Sequence, residues 1–504
     1  MICISIAQES RRLVLVDILN AVMLGADMVE VRLDCFEKDP NIGELFANKR
    51  KPILCSCRRP EDGGNWDGTE EERLMLLRQA IISGADFVEM EADVADQIRP
   101  YPGCKRVIAY TNLKETPADL AEIYEGMLQQ KPDVVKIVTR ARTPEEAWPL
   151  VQLIPKATVP TVVFGLGRPG VMLAVLGRRL GAPWTVAALE RGMEAYPGQP
   201  TIRDLEQIYR YREIGKGTRF VGVTGLAERD FLLTGLLNAA FVELQKPQRC
   251  LPLQVGNPKT FRKIIEAVKL QAVVLDESNR EGTHAIAAYD DSSRVPVQAA
   301  DFLAPTADGW VAQNHFGEAA VRAIEASMPP RENGESPLRG RMAMLVGDTP
   351  TVRMIAPSLK ARGASLIFAC KQREASARLS QLFGGRQILF DALYTTSHDV
   401  LIYPGDPQTE EEDETPQSQS HSRGGIHPGY LRPGMTIFDV SQMPRLTPLL
   451  REATQRGCAI VDPKTMLVEY ARCMVEQIVG ETIASEFLRE WLSNWVEDDT
   501  EENV

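Results

Sequence analysis

Histidine is scarce in this sequence of 504 residues, and the first 283 residues contain none. The five histidines are His284, His315, His398, His421 and His427. Histidine is the most frequent general base near neutral pH and the commonest metal ligand. A catalytic site in the first half must therefore use other side chains, and a metal site built on histidine is excluded there.

The sequence also lacks long apolar runs, positive net charge and repeated cysteine pairs. No run approaches the roughly 20 apolar residues of a membrane span, and the early charges of Glu9, Arg11 and Arg12 are unlike a signal peptide. The net charge of −12 argues against nucleic acid and anionic membranes as partners, though not against an anionic small molecule. Only Cys55 and Cys57 are close together among nine cysteines, which favours reduced thiols, a cytoplasmic protein and no metal site.

Short apolar runs alternate with amphipathic helical patterns through residues 1–216. Eight runs have the length of strands: Met1–Ala7, Met28–Leu33, Ile53–Cys57, Phe87–Met90, Val107–Tyr110, Val134–Val138, Thr161–Gly165 and Trp184–Ala188. Eight strands alternating with helices over this length predict an α/β fold, a (β/α)8 TIM barrel at 1–216. In such a barrel the reactive groups lie at the C-terminal ends of the strands.

Lys136 stands in the middle of the apolar run Val134–Val138. Burying an ammonium group is costly unless it is paired or loses its proton, and desolvation lowers the pKa of a lysine. A neutral buried amine is suited to forming an imine with a ketone. The alternative is a structural lysine that reaches solvent or pairs with a carboxylate, and this strand alone leaves both interpretations open.

Further charged and polar residues follow the predicted strand ends. A period of two places Glu30, Arg32 and Asp34 on one face of the second strand. Arg58 ends the third strand, and Gln199 follows a Pro-Gly turn after the eighth. Charges inside a barrel must be paired, so this set is either a buried ion network or a ligand site.

These motifs resemble those of type I 3-dehydroquinate dehydratase. The resemblance is carried by Glu-x-Arg-x-Asp beginning at Glu30, by Arg58 followed by Gly-Gly, by Val-Lys-Ile around Lys136 and by Pro-Gly-Gln ending at Gln199. The motifs occur in the family's order and spacing across the whole first half.

The resemblance implies that Lys136 forms a Schiff base with 3-dehydroquinate or a similar cyclic keto acid. It implies a lyase that needs no cofactor, with Asp62 in a place where glutamate is usual. The implied substrate-binding residues are Glu30, Arg32, Arg58, Asp62 and Gln199.

Three positions depart from the family pattern. The family histidine that moves a proton during loss of water is replaced by Thr111, and the arginine expected for the substrate carboxylate by Ala174, with Arg178 and Arg179 as substitutes one turn later. The serine expected before Tyr-Pro-Gly-Gln is Ala195. Threonine is no base near neutral pH, and general acid–base catalysis is worth about 10²–10⁴ in rate, so we expect slow turnover.

A domain boundary is expected near residues 215–218, where a glycine-containing stretch precedes a new strand–turn–helix pattern. The second half is predicted to be a two-lobed α/β region. Its segments are a substrate domain at 218–327, a Rossmann-like nucleotide-binding domain at 338–480 with an acidic, disordered loop at 406–425, and a C-terminal helix with an acidic tail at 481–504.

The second half resembles shikimate dehydrogenase. The similarity is clearest at Pro444-x-x-Thr447-Pro448 and from Arg456-Gly457 through Met466-Leu467-Val468. Fused dehydratase–dehydrogenase chains in this order occur in aromatic biosynthesis, the shikimate pathway, which the resemblance therefore implies for this chain.

The active motifs implied by this second resemblance are eroded. Arg229 and Phe231 stand in the region of the family's Ser-x-Ser substrate pair. The catalytic lysine maps near Ser278, and Asn-Thr-Asp becomes Asn314-His315-Phe316. Dehydrogenase activity is expected to be weak or lost.

Binding of NADP by the second half is also expected to be weak or absent. The glycine-rich phosphate turn becomes a segment from Gly347 that contains Asp348 and Pro350. Proline removes an amide donor, and aspartate puts negative charge where a pyrophosphate would lie. Lys371 and Arg373 are candidates for a 2′-phosphate, although exposed charge on a loop is the alternative.

Three functions are compatible with these residues. The first is a 3-dehydroquinate dehydratase fused to a dehydrogenase-like module with eroded motifs. The second is a binding or regulatory homologue that keeps ligand contacts without catalysis, and the third is an enzyme that uses Lys136 on another ketone. In each case the partner is a small molecule, and a homodimer is compatible with the sequence.

Overall fold

A computed structural model of the chain describes residues 1–38, 40–47, 49–281, 286–287, 289–290, 299–405 and 425–496. The predicted acidic loop, apart from residue 425, and the acidic tail from 497 lie outside these described residues. The described chain divides into two compact units, Met1–Gly222 with Pro247–Lys269 and Val223–Lys246 with Leu270–Val504. Within these ranges no helix is long and apolar enough to cross a membrane.

Eight parallel strands form the sheet of the first unit, as the apolar runs predicted. They are β1 (Ile2–Ile6), β2 (Met28–Arg32), β3 (Ile53–Ser56), β4 (Phe87–Glu91), β5 (Lys105–Asn112), β6 (Val134–Arg140), β7 (Thr161–Leu166) and β8 (Thr185–Ala187). Their order in the sheet is β7-β6-β5-β4-β3-β2-β1-β8, so sequential strands are neighbours and β8 closes back onto β1. This near-closed parallel sheet confirms the predicted barrel.

Helices connect the barrel strands. They are α1 (Arg11–Met23), α2 (Ile42–Phe46), α3 (Glu70–Ile82), α4 (Leu120–Leu128), α5 (Pro144–Leu153) and α6 (Val171–Leu180). Local sequence explains where several begin: the side chain of Ser10 accepts from the amide of Leu13, and Thr69 and Glu72 form a reciprocal capping box on α3. Helices that follow parallel strands run back toward the strand N-termini, so the last turn of each lies far from the strand C-terminal ends.

The interior of the barrel changes from apolar to charged along the strands. The lower layer is a buried cluster that includes Cys3, Met28, Leu54, Phe87, Val107, Val134, Val162 and Trp184. Two residues further along, on the same faces, β2, β4 and β6 carry Glu30, Glu89 and Lys136, all buried. The apolar layer therefore closes the barrel below a charged layer that lies at the C-terminal ends of the strands.

A second, mixed sheet follows the barrel in the chain. Its strands are β9 (Arg219–Thr224), β10 (Gln248–Leu253), β11 (Ala272–Val274), β12 (Tyr289–Asp290), β13 (Phe302–Thr306) and β14 (Gly309–Gln313), in the order β10-β9-β11-β13-β14-β12. The helices in this part of the chain are α7 (Glu228–Glu243), α8 (Pro258–Val268) and α9 (Phe316–Ala326).

A third sheet of six parallel strands has the Rossmann-like arrangement that the sequence predicted. Its strands are β15 (Met342–Val346), β16 (Ser365–Cys370), β17 (Arg386–Leu389), β18 (Val400–Tyr403), β19 (Thr436–Asp439) and β20 (Ala459–Ile460), in the order β17-β16-β15-β18-β19-β20. The order reverses beside β15, as in doubly wound folds. The helices are α10 (Pro350–Ala361), α11 (Arg373–Phe383), α12 (Pro448–Gln455), α13 (Pro463–Val479) and α14 (Ser485–Ser493).

Candidate active site

Lys136 lies inside the barrel, in the middle of β6, and is 3% exposed. Its register partner on β5 is Ala109, whose small side chain leaves room beside the amine. The ring of Phe164 lies 5.9 Å from Nζ on the other neighbouring strand. The strand thus buries the lysine as predicted, but the amine still needs a charged partner at that depth.

Glu89 on β4 supplies that partner. Its Oε2 accepts a hydrogen bond from Nζ of Lys136 at 2.6 Å, and Oε1 of Glu30 lies 3.8 Å from the same nitrogen. Both carboxylates are at least nine-tenths buried. Lys136 therefore pairs with a carboxylate, which is the structural alternative that the sequence left open. The same contact places a proton acceptor against the amine.

Arg58 completes a buried group of two cations and two anions. Its Nε donates to Oε1 of Glu89 at 3.1 Å, and its Nη2 donates to Glu30. Ser56 donates to Glu30 at 2.8 Å. Burial alone would raise the pKa of Glu30, but Arg58, Lys136 and Arg32 together hold it well below its usual range.

Arg32 and Asp34 form a second pair at the same end of the barrel. Two nitrogen atoms of Arg32 contact the two carboxylate oxygens at 2.9 and 2.5 Å. Arg32 also donates to the carbonyl of Gly63 at 3.2 Å, and the amide of Asn65 donates to Asp34 at 3.0 Å. These bonds hold the loop after β3 against the barrel mouth.

The glycine turn after β3 packs on the strand end itself. Gly63 has a φ of 77°, and a Cβ on Gly64 would lie 1.9 Å from the carbonyl oxygen of Arg58. Only glycine permits this approach. In the same loop Asp62 accepts from Arg59 at 2.7 Å, and burial raises the pKa of Asp62 despite that bond.

Gln199 is buried in its own turn. Its side-chain oxygen accepts from the amide of Ala195 at 2.7 Å, so its acceptor is used to hold the segment that follows β8. Gly198, with a φ of 84°, packs close to the backbone of Arg168, where a Cβ would lie 3.4 Å from Cα. The two segments therefore meet at the rim of the barrel.

Arg168 is an exposed cation at this rim, in the short turn Arg168–Gly170 after β7. Among the described residues it has no hydrogen-bond or ion-pair partner of its side chain. The sequence motifs did not identify this arginine. The signal was available, because the residue follows a strand C-terminal end.

The expectation that Arg178 and Arg179 substitute for the carboxylate-binding arginine is wrong. Arg178 donates to the carbonyls of Ile214 and Arg212 at 2.8 and 3.0 Å. Arg179 stacks 5.2 Å from the ring of Phe220. Both lie in the last turn of α6, which runs away from the strand C-terminal ends, so they belong to the opposite end of the barrel.

Thr111 lies above Lys136 on the neighbouring strand. Ala109 pairs with Lys136, and Thr111 pairs with Val138, so Thr111 is two residues further toward the mouth on the same face. It is half-buried. A neutral hydroxyl therefore stands where the sequence resemblance expects a histidine.

The family model for type I 3-dehydroquinase matches residues 2–216. A 3-dehydroquinate dehydratase from Methanopyrus kandleri is 32% identical over 196 residues, which cover 38% of this chain and 89% of that protein. The chain belongs to the type I 3-dehydroquinate dehydratase family.

The similarity continues beyond the dehydratase domain. A chloroplastic bifunctional 3-dehydroquinate dehydratase/shikimate dehydrogenase from Arabidopsis thaliana is 26% identical over 508 residues, covering 95% of this chain and 82% of that protein. A solved structure of dehydroquinate dehydratase and shikimate dehydrogenase from S. pombe AroM covers 97% of both chains at 17% identity, with a TM-score of 0.43. The match to the Arabidopsis protein extends through both halves of the chain, so the protein combines a 3-dehydroquinate dehydratase domain with a shikimate dehydrogenase-like region.

The phosphate turn of the dehydrogenase-like region contains its own ion pairs. Gly347 adopts a φ of 83° after β15, and Asp348 follows it with a side chain that is 9% exposed. Arg378 donates to one carboxylate oxygen, and Nε of Arg353 lies 3.5 Å from the other. The position that would meet a pyrophosphate therefore holds a carboxylate, which is already neutralised by arginine.

Lys371 and Arg373 lie where the sequence placed them, after β16 and at the start of α11, and both are exposed. α10 begins at Pro350, so its first position has no amide hydrogen to donate. These residues do not fit a dinucleotide, because the turn presents a carboxylate and lacks the amide donor that a residue other than proline would supply at position 350.

Two residues of the dehydratase site were missed from the sequence. Glu89 contacts Lys136 and Arg58, and Ser56 contacts Glu30. A period of two from Phe87 at the start of β4 places Glu89 inside the barrel, and the same argument from Leu54 places Ser56 there. The strand pattern therefore identifies Glu89 and Ser56 as inward-facing residues, although it does not identify their partners.

Proposed function

We propose that the barrel dehydrates 3-dehydroquinate through an imine on Lys136. The observation that carries this proposal is the position of Lys136: buried at the mouth of a type I dehydratase barrel, with Oε2 of Glu89 2.6 Å from its amine. A proton transfer between these two atoms gives the neutral amine that imine formation requires.

The first steps use groups that are present in the site. Glu89 takes a proton from Lys136, and the amine attacks the ketone carbon to form a carbinolamine. Loss of water from that adduct gives the iminium ion, with the proton on Glu89 available to the departing hydroxyl. Arg58 contacts Glu89 and Glu30 and so holds both carboxylates in place through these changes.

The later steps need a second base. That base removes the proton next to the iminium carbon to leave an enamine. The same proton is then returned to the ring hydroxyl, which leaves as water and creates the double bond before a second water hydrolyses the imine. Thr111 occupies the layer above Lys136 but has no basic group. We therefore propose that dehydration is slow, since a positioned base is worth about 10²–10⁴ in rate.

Arg168 is the proposed contact for the substrate carboxylate. It is the exposed cation beside the Gln199 turn, and its guanidinium is not engaged by the described residues. A guanidinium binds a carboxylate through two parallel hydrogen bonds. Of the other proposed substrate-binding residues, Glu30 and Arg58 shape the charged layer, while Arg32, Asp62 and Gln199 hold the loops around it.

The dehydrogenase-like region is proposed to have weak or no NADP-dependent activity. Support comes from the carboxylate of Asp348 in the phosphate turn and from Pro350 at the start of α10. The proposed boundaries are 1–216 for the barrel, 218–327 for the substrate domain and 338–480 for the Rossmann-like domain, with a C-terminal segment at 481–504. The alternative of a binding or regulatory homologue is favoured by one observation, the missing base at Thr111.

Borohydride trapping tests the imine proposal. The full chain is incubated with 3-dehydroquinate and sodium borohydride, and the modified residue is located by mass spectrometry. We expect a reduced adduct on Lys136 and none in Lys136→Met. Lys114→Met, which removes an exposed lysine of the loop after β5, is the matched control and should be labelled like the wild type.

The result also separates imine formation from turnover. An adduct with slow appearance of the enone product supports the full proposal. No adduct on Lys136 would overturn the Schiff-base role. Rapid turnover with an adduct would keep Lys136 as nucleophile and refute the proposed lack of a base.

A further inference from the structure

Arg73 is a fully buried arginine of α3 that takes no part in the proposed chemistry. Its Nε and Nη2 donate to Glu70 at 2.9 and 2.7 Å. Its Nη1 and Nη2 donate to Glu91 at 3.1 and 2.7 Å, and Nη1 also donates to the main-chain carbonyl of Cys57. Each nitrogen of the guanidinium therefore has a protein acceptor, and none of these contacts depends on solvent.

Two of these contacts lie at the ends of the strands that carry the partners of Lys136. Cys57 follows β3 and directly precedes Arg58. Glu91 is the last residue of β4, two residues beyond Glu89. Helix α3 follows β3 in the chain and so begins at the same end of the barrel. One guanidinium thus connects the backbone beyond one strand to a side chain at the end of the next.

The pairing of β3 with β4 stops before the charged layer. In the described chain this pairing ends at Cys55 and Val88. On its other side, β4 is paired with β5 up to its last residue, where Glu91 lies opposite Ala109. The ladder therefore does not fix the spacing of β3 and β4 at the residues that follow Val88, and side chains must do so.

The geometry around Lys136 depends on this spacing. Arg58 at the end of β3 contacts Glu89 on β4 at 3.1 Å, and Glu89 accepts from Lys136 at 2.6 Å. A hydrogen bond is lost beyond about 3.5 Å, so a displacement of β4 by about 1 Å would separate the proton acceptor from the amine. The spacing of the two strand ends is therefore part of the proposed catalytic geometry.

Stability alone does not explain a buried arginine at this position. Taking two charges out of water is costly, and apolar residues of similar size often stabilise a fold as well as a buried ion pair does. An apolar pair, however, makes no directional bond to the carbonyl of Cys57. Arginine differs from other side chains in presenting several donors in one rigid plane, which allows Arg73 to bond to both strand ends at once.

We propose that Arg73 is a positioning residue of the dehydratase site, which fixes the spacing of β3 and β4 and so keeps Glu89 in contact with Lys136. Its described contacts include neither of these two residues, so it acts through the strand ends. The inference rests on the proposed imine at Lys136. It predicts slower imine formation without weaker binding of the ketone, since the proposed contact for the substrate carboxylate is Arg168, after β7.

Three variants of the full chain test the proposal. Arg73→Met/Glu91→Met replaces the buried pair with apolar side chains of similar length, and the side chain of Glu70, 41% exposed, can turn to solvent. Arg73→Lys keeps the charge but has only one nitrogen with which to contact both strand ends. Arg78→Met is the matched control, because Arg78 is an exposed arginine of the same helix that donates to the carbonyl of Gln97.

Borohydride trapping at a series of 3-dehydroquinate concentrations separates binding from imine formation. We expect Arg73→Met/Glu91→Met to lower the maximal rate of adduct formation on Lys136 at least about tenfold, with the half-saturating ketone concentration changed by less than about twofold. Arg73→Lys should recover part of the lost rate. Arg78→Met should match the wild type in both quantities.

A purely structural role predicts a different result. The double variant would then trap the ketone at the wild-type maximal rate at any temperature well below its melting temperature, whatever that temperature is. This result would overturn the proposal, as would a loss of rate caused only by a higher half-saturating concentration. If the double variant does not fold, Arg73→Lys decides, and an unchanged maximal rate in that variant would overturn the proposal.

A crystal structure separates this inference from the proposed function. In the double variant, or in Arg73→Lys if the double variant does not fold, we expect the distance between Lys136 and Glu89 to exceed about 3.5 Å. Retention of the contacts at 2.6 and 3.1 Å would overturn the positioning role, whether or not the wild type forms an imine. Absence of an adduct in the wild type would instead refute the imine at Lys136, and the longer distance would still support the role of Arg73 in spacing the strands.

Discussion

Imine formation and the proton transfers that follow it depend on different residues of the barrel. Lys136 and Glu89 are in contact in the charged layer. Proton transfer from Lys136 to Glu89 would leave a neutral amine that can attack a ketone. Thr111 lies two residues nearer the mouth of the barrel and has no basic group. In the proposed mechanism, this one side chain separates imine formation from rapid turnover.

Replacing Thr111 with histidine should restore the missing base. We expect Thr111→His to raise the rate of dehydration by up to about 10²–10⁴, the usual contribution of a general base, without changing adduct formation on Lys136. The rate is measured by the absorbance of the enone product.

Thr111→Asn is the matched control, since it has a polar side chain of intermediate size that cannot act as a base. It should leave the slow rate of the wild type unchanged. An equal gain from asparagine would show that shape rather than basicity limits the reaction.

At the scale of single elements, the turn between β15 and α10 carries a carboxylate of the protein itself at the position where the pyrophosphate of a dinucleotide would bind. Asp348 lies at the N-terminal end of α10, where a helix favours negative charge, and it is paired with Arg378 and Arg353. A dinucleotide would have to displace this carboxylate and separate it from both arginines.

Removing the internal anion should therefore allow NADP to bind. We expect Asp348→Gly to bind NADP at least about tenfold more tightly than the wild type, a gain of about 1.4 kcal/mol, because Arg378 then loses its carboxylate partner and is available to phosphate. Calorimetry provides the comparison, and Asp391→Asn, an exposed change in the same domain, should have no effect. Micromolar binding by the wild type that is lost on mutating Lys371 and Arg373 would contradict this interpretation.

The start of α7 gives a pH-dependent contribution to stability. Burial raises the pKa of Asp230 to about 6, against the opposing effect of Arg229. A carboxyl with a raised pKa binds its proton more tightly in the folded state. Its contribution to stability is therefore full at low pH and is lost as the pH rises from about 4 to about 6.

Asp230→Asn should remove this dependence while its side-chain oxygen still accepts from the amide of Ala227. We expect the free energy of unfolding to match that of the wild type below about pH 4. Above pH 6 it should exceed the wild-type value by at most about 3 kcal/mol, since each pKa unit is worth about 1.4 kcal/mol. Urea unfolding at the two pH values measures the difference, and the exposed Asp308→Asn should show none; a pH-independent difference for Asp230→Asn would refute the assignment.

Individual elements also show which parts of the structure were predictable. The barrel strands could be located because buried parallel strands are continuous apolar runs bounded by turns, and Lys136 was conspicuous within one of them. The partner of Lys136 was harder to identify, because pairing across β4 and β6 depends on register between distant segments. Arg178 was misplaced for another reason: motif spacing along α6 does not show which end of the barrel a helix turn occupies.

The charged residues that alter the phosphate turn of the second half could be predicted only in part. The sequence alone shows that Asp348 and Pro350 disfavour a bound pyrophosphate, because one adds a negative charge and the other lacks an amide hydrogen. The pairing of Asp348 with Arg378 required the fold, since the two residues are 30 positions apart.

At the scale of the whole molecule, the chain combines a barrel that buries a lysine among carboxylates with a second region whose charged residues are arranged differently from those that the resemblance implies. The first unit also includes Pro247–Lys269, which follows the proposed barrel boundary in the chain. Arg249 in this segment is paired with Glu213, and the amide of Asn257 donates to Glu145 at 2.7 Å. The barrel therefore has contacts that a truncation would remove.

Residues 1–216 are still expected to fold as an independent barrel, because all eight strands and the buried layer beneath the site lie within them. A truncated chain of 1–216 should melt cooperatively, at a lower temperature than the full chain because the contacts of Arg249 and Asn257 are lost. Limited proteolysis of the full chain should release a fragment of this size. An insoluble fragment without a cooperative transition would place the boundary elsewhere.

The apolar layer beneath Lys136 limits the direction from which molecules can reach its amine. Since Phe87, Trp184 and their neighbours fill the barrel interior below Lys136, the amine faces the strand C-terminal ends. Substrate, the water that hydrolyses the imine, the water released by dehydration and the product must all pass that end of the barrel. Arg168 at its rim would attract the product carboxylate as readily as the substrate carboxylate. In the proposed reaction, product that remains bound at this end of the barrel therefore competes with the incoming substrate.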